Sequence, residues 1–426
     1  MAKKQKKTND YKFTKTRIVI FLILCVVLAV TLPFSAFFEE KIDAYLTKDI
    51  GEYATAIESD LVVHVIDVGS ADCIAIELPD GKKMLIDAGV DMYVDKDKYS
   101  SQAIEYIKQT IFDGAENGIF DYFILTHQDA DHCNNAVPIF DAFQFKTVYR
   151  PSMFYNKEKE PTAQQSAMIE KEIQRAKDEG YIASSVTSFD EVKDTLGFSS
   201  TNIYFNFLTS IYNETYEDAG ETKNCEVKYN FTGSETNTNE ISNLELGYSI
   251  KFYSPNELKY SSANNYSPVI FLSYKDKDIC LTGDAEKEVE KYLVDNYNLP
   301  QVDVLKVGHH GSETSSTLDF LNEISPTYAF ISVGPKDRHE NPDAGTLERL
   351  KNSGIIDGNI LTTKDNGALI FAVDVDDVSG EASMLISASG GAIVVNIEWW
   401  YICVTILIVG AGLIFGIGSG KKKTRK

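Results

Sequence analysis

Residues 126–132, reading THQDADH, constrain this chain more than any other stretch. An apolar run, DYFILT, ends there in a cluster of two histidines and two carboxylates, so a buried strand delivers its last residues into a turn. Neutral imidazoles and carboxylate oxygens are ligands for a divalent ion, and a strand end followed by a tight turn can aim several of them at one point. Read alone, the same residues also fit a polar loop with Asp131 as a helix N-cap. The rest of the chain has to separate the two readings.

Three further strand ends repeat the arrangement. LTGD places Asp284 after an apolar run, LKVGHHGS places His309 and His310 after another, and SVGPKDRHENP places His339 beyond a third. In open α/β sheets ligands gather at strand ends, which gives these segments a common rim. Each has a structural alternative: Asp284 precedes AEKEVEKYL and fits a helix N-cap, and the histidine pair fits a polar turn. His64, inside the apolar run LVVHVID, reads as a satisfied core histidine and not as a ligand.

Around these motifs the pattern is that of an α/β protein. Strand-like runs LVVHVIDVG, ADCIAIEL and KKMLIDAG lead to a helix over 101–112 and then to DYFILT, and a PDG hairpin turn falls at 79–81. Residues 161–180 read as a helix with Pro in its first turn and Gly at its end. From about 199 to 244 no period is sustained, and irregular or edge-strand structure is expected. Regular alternation of strands and helices then returns from SIKFYSP to GALIFAV.

Both ends are apolar. Residues 18–38 and 399–420 carry no charge and are long enough to span a bilayer. Basic clusters lie before the first and after the second, so both termini are expected in the cytoplasm and 39–398 on the outer face of a cell membrane. A cleaved signal peptide ending near Ser35 is the alternative for the first segment, and it leaves the outside placement intact. Trp399, Trp400 and Tyr401 sit where an interfacial aromatic belt belongs. The organisation is a basic tail (1–17), a span or signal anchor (18–38), a connector (39–59), a domain (60–375), strands or a linker (376–398), a second span (399–420) and a basic tail (421–426).

The two tails hold 12 of the 41 Lys and Arg residues but one of the 63 acidic ones, which leaves a net charge of −33 between them. This argues against a broad basic face for polyanions but not against local binding through metal ions, because exposed charges are screened beyond about 10 Å. Cys73, Cys133, Cys225 and Cys280, the cysteines outside the apolar segments, are irregularly spaced and read as buried free thiols.

The ordered motifs DVGSAD, LIDAG, THQDADH, SPVIFLSY, LTGDAE and VGHHGS, followed by SVG and NPDAGTLERL, resemble the metallo-β-lactamase-fold domain of the ComEC competence proteins and their free-standing relatives. The resemblance covers about residues 60–375 apart from the insertion. It implies an αββα sandwich, flanked here by the two transmembrane helices, with two sheets back to back, helices outside and a metal centre at one edge. Carried over by position, the metal ligands fall on His127, Asp129, Asp131 and His132, the bridging carboxylate on Asp284, and the late histidine on His309 or His310. Taking His310 as the ligand leaves His309 as proton donor or electrostatic partner to the phosphoryl oxygens. Asp67 of DVGSAD and Asp87 of LIDAG are the implied acidic supports of the site.

This chain departs from the family's pattern at Cys133, where a small or aliphatic residue is usual, and at Asn134 and Asn135, where glycines are usual. It also has Asn341 before the proline of the last motif, where a histidine is usual, and His339 two residues earlier is the candidate substitute on the substrate side. The implied cofactor is a pair of divalent metal ions. Asp129, replacing a histidine of the zinc hydrolases of this fold, shifts the choice toward manganese without excluding zinc. Such a pair activates water and stabilises the attacking and leaving oxygens of a displacement at phosphorus, with Asp131 orienting the attacking group. The expected function is a membrane-anchored, extracytoplasmic phosphodiesterase acting on DNA. The alternatives are a cell-envelope phosphoesterase of teichoic-acid or phosphorylcholine type, which the acidic domain favours, and a non-catalytic scaffold on the same fold. No protein partner is implied.

Overall fold

A computed structural model describes residues 59–389, apart from 158–159, 187–188, 194, 234–238, 377–378 and 380. Among these residues no helix is long and apolar enough to cross a membrane. The two candidate spans, 18–38 and 399–420, lie outside the described residues.

The chain first forms β1 (Leu61–Val65), β2 (Ile74–Glu77), β3 (Lys83–Ile86), β4 (Ile119–Ile124) and β5 (Gln144–Arg150). Two short pairs follow, β6 (Phe154–Tyr155) with β7 (Phe198–Ser199) and β8 (Thr215–Asp218) with β9 (Glu221–Asn224). The remaining strands are β10 (Glu226–Tyr229), β11 (Asn239–Asn243), β12 (Tyr248–Phe252), β13 (Ile270–Tyr274), β14 (Lys277–Leu281), β15 (Val304–Lys306), β16 (Tyr328–Ile331), β17 (Ile360–Thr362), β18 (Leu369–Val375) and β19 (Ala382–Ala388).

They build two large mixed sheets, one in the order β10-β5-β4-β3-β2-β1-β18-β19 and the other running β11 to β17 in sequence. Strands joined by short turns pair antiparallel, as at 79–81, where Gly81 takes a positive φ and Leu78 N–H donates to Lys82 O at 2.8 Å. Strands separated by a crossover helix pair parallel: β3 with β4 across Lys96–Tyr106, and β14 to β17 across Lys287–Asn296, Leu318–Ile324 and Ala344–Asn352.

Alternation along each strand sets the layers. Leu61, Val63 and Val65 of β1 face Ile250, Leu272, Leu281 and Phe330 of the other sheet in one central core. Two outer cores lie under the helices: Phe120, Phe123, Phe140, Phe145 and Phe207 on the first sheet, and Val289, Leu293, Phe320 and Leu350 on the second. The result is the four-layer αββα arrangement expected from the sequence. His64 points to the outer layer, fully buried, with Tyr106 Oη at 3.0 Å from Nδ1 and Glu77 Oε1 at 3.2 Å from Nε2, as expected of a core histidine.

Two expectations need correction. The helix expected over 101–112 starts earlier, at Lys96, and ends in a π turn over Ile107–Ile111. The insertion is not only irregular and edge-strand structure. It contains the helix Asn202–Asn213, started by the Thr201 hydroxyl accepting from Tyr204 N–H at 3.2 Å. Asn, Thr and aromatic residues have modest helix propensity, but Tyr204, Phe207, Leu208 and Ile211 form a buried stripe, and burial outweighs the propensity. The four cysteines are free, as expected, although Cys225 is only half-buried.

Arg150, at the end of β5, ties this insertion to the sheet. Its Nη2 donates to Glu172 Oε1 at 2.7 Å and Oε2 at 2.8 Å, and its Nη1 donates to Met153 O at 2.7 Å and Tyr204 Oη at 2.9 Å. Glu172 belongs to the helix Ala163–Asp178, whose Thr162 and Gln165 form a capping box. Both charged partners are fully buried. Removing one leaves the other uncompensated in a dry interior, so Glu172→Ala is expected to destabilise the protein by about 3–5 kcal/mol in denaturant titration. Glu172→Ala combined with Arg150→Met should recover part of that loss.

Candidate metal centre

The parallel strands of both sheets end on one rim. Asp87 follows β3, residues 126–132 follow β4, Asp284 follows β14, His309 and His310 follow β15, and Ser332 follows β16. At their meeting point Asp284 is almost completely buried, and its Oδ2 faces four imidazoles. It lies 3.2 Å from His132 Nε2, 3.6 Å from His310 Nε2, 3.8 Å from His309 Nε2 and 4.0 Å from His127 Nε2. His127 Nε2 is also 3.8 Å from Asp129 Oδ2, and His310 Nε2 is 3.5 Å from Asp131 Oδ2. Two groups, His127 with Asp129 and His310 with Asp131, therefore share one carboxylate, and the His132 ring packs against the rings of both histidines.

The opposite ring nitrogens are all held from outside. His132 Nδ1 is 2.7 Å from Asp87 Oδ2, and Asp87 accepts from Thr126 N–H at 2.7 Å and from its hydroxyl at 2.8 Å. His310 Nδ1 is 2.8 Å from Ser332 O, an acceptor only, so this nitrogen carries the proton and Nε2 offers its lone pair inward. His309 differs. Its Nδ1 meets the Thr314 hydroxyl at 3.0 Å and, at 3.4 Å, the amide nitrogen of Asn264, which Glu286 orients by accepting from it at 3.1 Å. Glu286 Oε1 also stands 3.7 Å from Nδ1, so donors and an acceptor lie behind the ring, while its Nε2 faces Asp284.

Neither Asp131 nor Asp284 is a helix cap: the helix Ala130–Cys133 is capped at Asp129, and Lys287–Asn296 at Glu286. His309 and His310 form a turn, as the structural alternative had it, but both adopt left-handed backbone and turn their rings to Asp284.

A cation fits here on the chemistry of the donors. Inward-facing His127 Nε2, His132 Nε2 and His310 Nε2 are buried polar atoms with no hydrogen-bond partner, a costly arrangement that a metal ion resolves. Asp72, His132, Asp284 and His310 offer ligand atoms within 4.8 Å of one another. The local field agrees: against the lowering effect of burial, Asp284 and Asp87 hold the His132 pKa well above its usual value, and Asp284 and Asp72 push His310 up to about 9. Without another cation, these imidazoles draw protons to balance the carboxylates.

Asp72 and Lys306 were not singled out from the sequence. Asp72 Oδ2 is 2.9 Å from Lys306 Nζ and 3.8 Å from His132 Nδ1, and its Oδ1 is 4.0 Å from His310 Nδ1, so the carboxylate lies behind the imidazoles. Lys306 Nζ also donates to Gly283 O at 2.9 Å. A lysine inside the apolar strand VDVLKVG was the available signal, because a buried ammonium requires a counter-charge. Asp67 stays outside the cluster, accepting from Gly69 N–H at 3.2 Å and shaping the loop that carries Asp72. His339 and Asn341 also stay outside it; their backbone N–H groups both donate to Asp337 Oδ1 at 2.8 Å. Their loop leaves from Ser332 and returns at Asp343, whose N–H donates to Gly311 O at 2.9 Å beside His310.

With this geometry in view, the chain was compared with known proteins. It is 25% identical to ComE operon protein 3 of Bacillus subtilis over 74% of this chain and 33% of that protein. It is 36% identical to the competence protein ComA of Neisseria gonorrhoeae over 30% of this chain and 18% of that one. Recombination protein 2 of Haemophilus influenzae matches at 35% over 24% of this chain and 13% of that one. Its homologues are competence and recombination proteins. The chain spans about a third or less of their lengths. No family model matches. Solved structures similar to it include the metallo-β-lactamase fold protein YhfI from Bacillus subtilis, at 10% identity and TM-score 0.33 over 76% of this chain and 100% of that one. Zinc-bound PqqB from Methylobacterium extorquens matches at 9% and 0.32 over 72% and 99%.

The three departures within the metal loop now have structural roles. Asn134 clamps Val90, accepting from its N–H at 2.9 Å and donating to its carbonyl at 2.7 Å. Asn135 accepts from the Ser100 hydroxyl, and the Cys133 thiol donates to Gln128 O at 3.3 Å across the loop. Gly89 is the point of closest approach, since a Cβ there would stand 1.5 Å from Asp131 O. Asp87 acts through His132 and touches no inward-facing atom. Asp87→Asn should therefore lower metal affinity about 10–100-fold, read by calorimetry with manganese or zinc, while the fold persists by circular dichroism.

Proposed function

We propose that this chain is a metal-dependent phosphodiesterase that hydrolyses DNA. In this reading, segments 18–38 and 399–420 anchor it in the cell membrane, with its site on the outer face and both termini cytoplasmic. The observation that carries it is the convergence of four imidazoles on one Asp284 oxygen, with Asp129 and Asp131 on either side. A mixed nitrogen and oxygen donor set with one shared carboxylate suits two divalent ions, manganese or zinc. His127, Asp129, Asp131, His132, His310 and Asp284 would hold them. Ions there supply Lewis acidity toward phosphoryl oxygens and a water nucleophile at neutral pH.

The remaining work falls to the chain's own side chains. Asp131, half-exposed beside His310, accepts a hydrogen bond from the attacking water and orients it toward phosphorus. His309, partly open to solvent with its Nε2 toward Asp284, is the group placed to donate to a phosphoryl or leaving oxygen. Asp87, Thr126 and Ser267 fix the ring orientations of His132 and His127. His339 and Asn341, on the loop tied to Gly311, are the candidates for contact with substrate. The relatives' names, which concern competence and recombination, support DNA as the substrate over an envelope phosphoester.

The full-length protein in detergent, supplied with manganese or zinc, should hydrolyse single-stranded DNA and bis(p-nitrophenyl) phosphate. Asp131→Ala and His132→Ala should each reduce turnover to background with the melting transition retained. Cleavage of a polyol-phosphate polymer but not of DNA would move the reading to the cell envelope. Wild-type turnover by either variant would overturn the site assignment.

A further inference from the structure

Met92, Tyr93 and Val94 are three consecutive large apolar residues at 43%, 62% and 40% exposure. Such a run at the surface is unfavourable unless something binds it. Its position is set by the loops of the centre. Asp91 accepts from Tyr93 N–H at 2.8 Å and from Ser70 N–H at 3.3 Å, and Ser70 lies two residues before Asp72. The Ser70 hydroxyl accepts from Gly334 N–H at 3.0 Å, which brings in the loop that begins and ends beside His310. Midway along that loop, Arg338 Nη1 donates to Tyr93 Oη at 3.0 Å, and its guanidinium lies 5.2 Å from the Tyr93 ring centroid.

This loop also exposes Lys336, which with Arg338 gives two neighbouring cations on a strongly acidic domain. Of the acidic residues between them and Pro342, Asp337 is turned into its own backbone, and Glu340 is exposed. An aromatic ring with a guanidinium over it and bonded to its hydroxyl, flanked by apolar neighbours, matches what an unstacked nucleotide presents: a π face and a phosphate. A paired duplex hides its base faces and offers only the phosphates.

We propose that Tyr93 and Arg338 form a subsite for one unpaired nucleotide of a single-stranded nucleic acid, the base stacking on Tyr93 between Met92 and Val94 and its phosphate meeting Arg338. The proposal rests on the phosphodiesterase reading above and adds a strand preference to it.

The test compares KM and kcat of the full-length, manganese-loaded protein on three substrates: a single-stranded oligonucleotide, an abasic sugar-phosphate oligomer of equal length, and bis(p-nitrophenyl) phosphate. Tyr93→Ala should raise KM for the oligonucleotide about tenfold, with kcat within about twofold, and Tyr93→Trp should restore it. On the abasic oligomer, which has no base to stack, the wild type should already show the raised KM, and Tyr93→Ala should add little to it. Equal KM for the wild type on both oligomers overturns the subsite. So does a Tyr93→Ala effect of equal size on both, which marks a change of loop structure. Hydrolysis of bis(p-nitrophenyl) phosphate without cleavage of either oligomer overturns the subsite and leaves a phosphodiesterase; hydrolysis of none of the three overturns the functional reading itself.

Discussion

Asp284 is a carboxylate taken out of water and surrounded by four imidazoles, and the rim of the sandwich is arranged around that fact. A buried anion of this kind is destabilising unless charge and hydrogen bonds are returned to it. The protein returns some of the charge from below, where Lys306 stands 2.9 Å from Asp72 and 3.8 Å from Asp284 Oδ1. The backbone bond here, Asp284 N–H donating to Ser267 Oγ at 3.2 Å, fixes the residue's position but does not reach its carboxylate. What the protein does not return is a partner for the inward-facing imidazole nitrogens. That asymmetry, outer edges fixed and inner edges free, is what a metal site requires, whereas a structural polar cluster would satisfy both edges.

Holding the cage requires backbone that few residues accept. Asp87, His309 and His310 all have positive φ, at 60°, 50° and 53°. Each such residue costs about 1–3 kcal/mol and persists only where its surroundings over-determine it. They do so here. His309 N–H donates to Gly283 O at 3.2 Å, Asp87 N–H to Ile124 O at 2.8 Å, and Ala88 N–H to His132 O at 2.8 Å. Gly283 itself is confined, since a Cβ on it would come within 3.1 Å of Ser267 and Thr126. The loops are thus stitched to one another by main-chain bonds, and the stitching converts four separate strand ends into one rigid ligand set.

How far this was legible in the sequence follows from where each signal is carried. The candidate ligands stand at strand ends beside strongly apolar runs, so the period change from strand to turn marks His127, Asp131, Asp284 and the pair His309 and His310 directly. The layered fold was legible for the same reason, since β1, β4, β13 and β18 are near-continuous apolar runs. The helix Asn202–Asn213 was hidden because its residue types favour strands and turns and only the spacing of Tyr204, Phe207, Leu208 and Ile211 identifies it. Asp72 was hidden because its role depends on Lys306, more than two hundred residues away. Nothing local to SADC distinguishes it from a loop carboxylate. The division of labour between His309 and His310 was equally out of reach. It depends on whether Ser332 O or the Asn264 amide stands behind each ring, and both come from distant segments.

The acidity of the domain and an anionic substrate can be reconciled by distance. A net charge of −33 repels a polyanion at long range, but salt at physiological strength screens that repulsion beyond about 8 Å. Inside that range the substrate meets the rim and not the average surface. A rigid duplex approaching the rim would still lay about one helical turn of both strands against the acidic domain. A flexible single strand can bend away and present one phosphate at a time, so only the groups at the centre and on its two flanking loops act on it. On this domain, electrostatics alone therefore favours a substrate that is locally single-stranded, before any base is recognised.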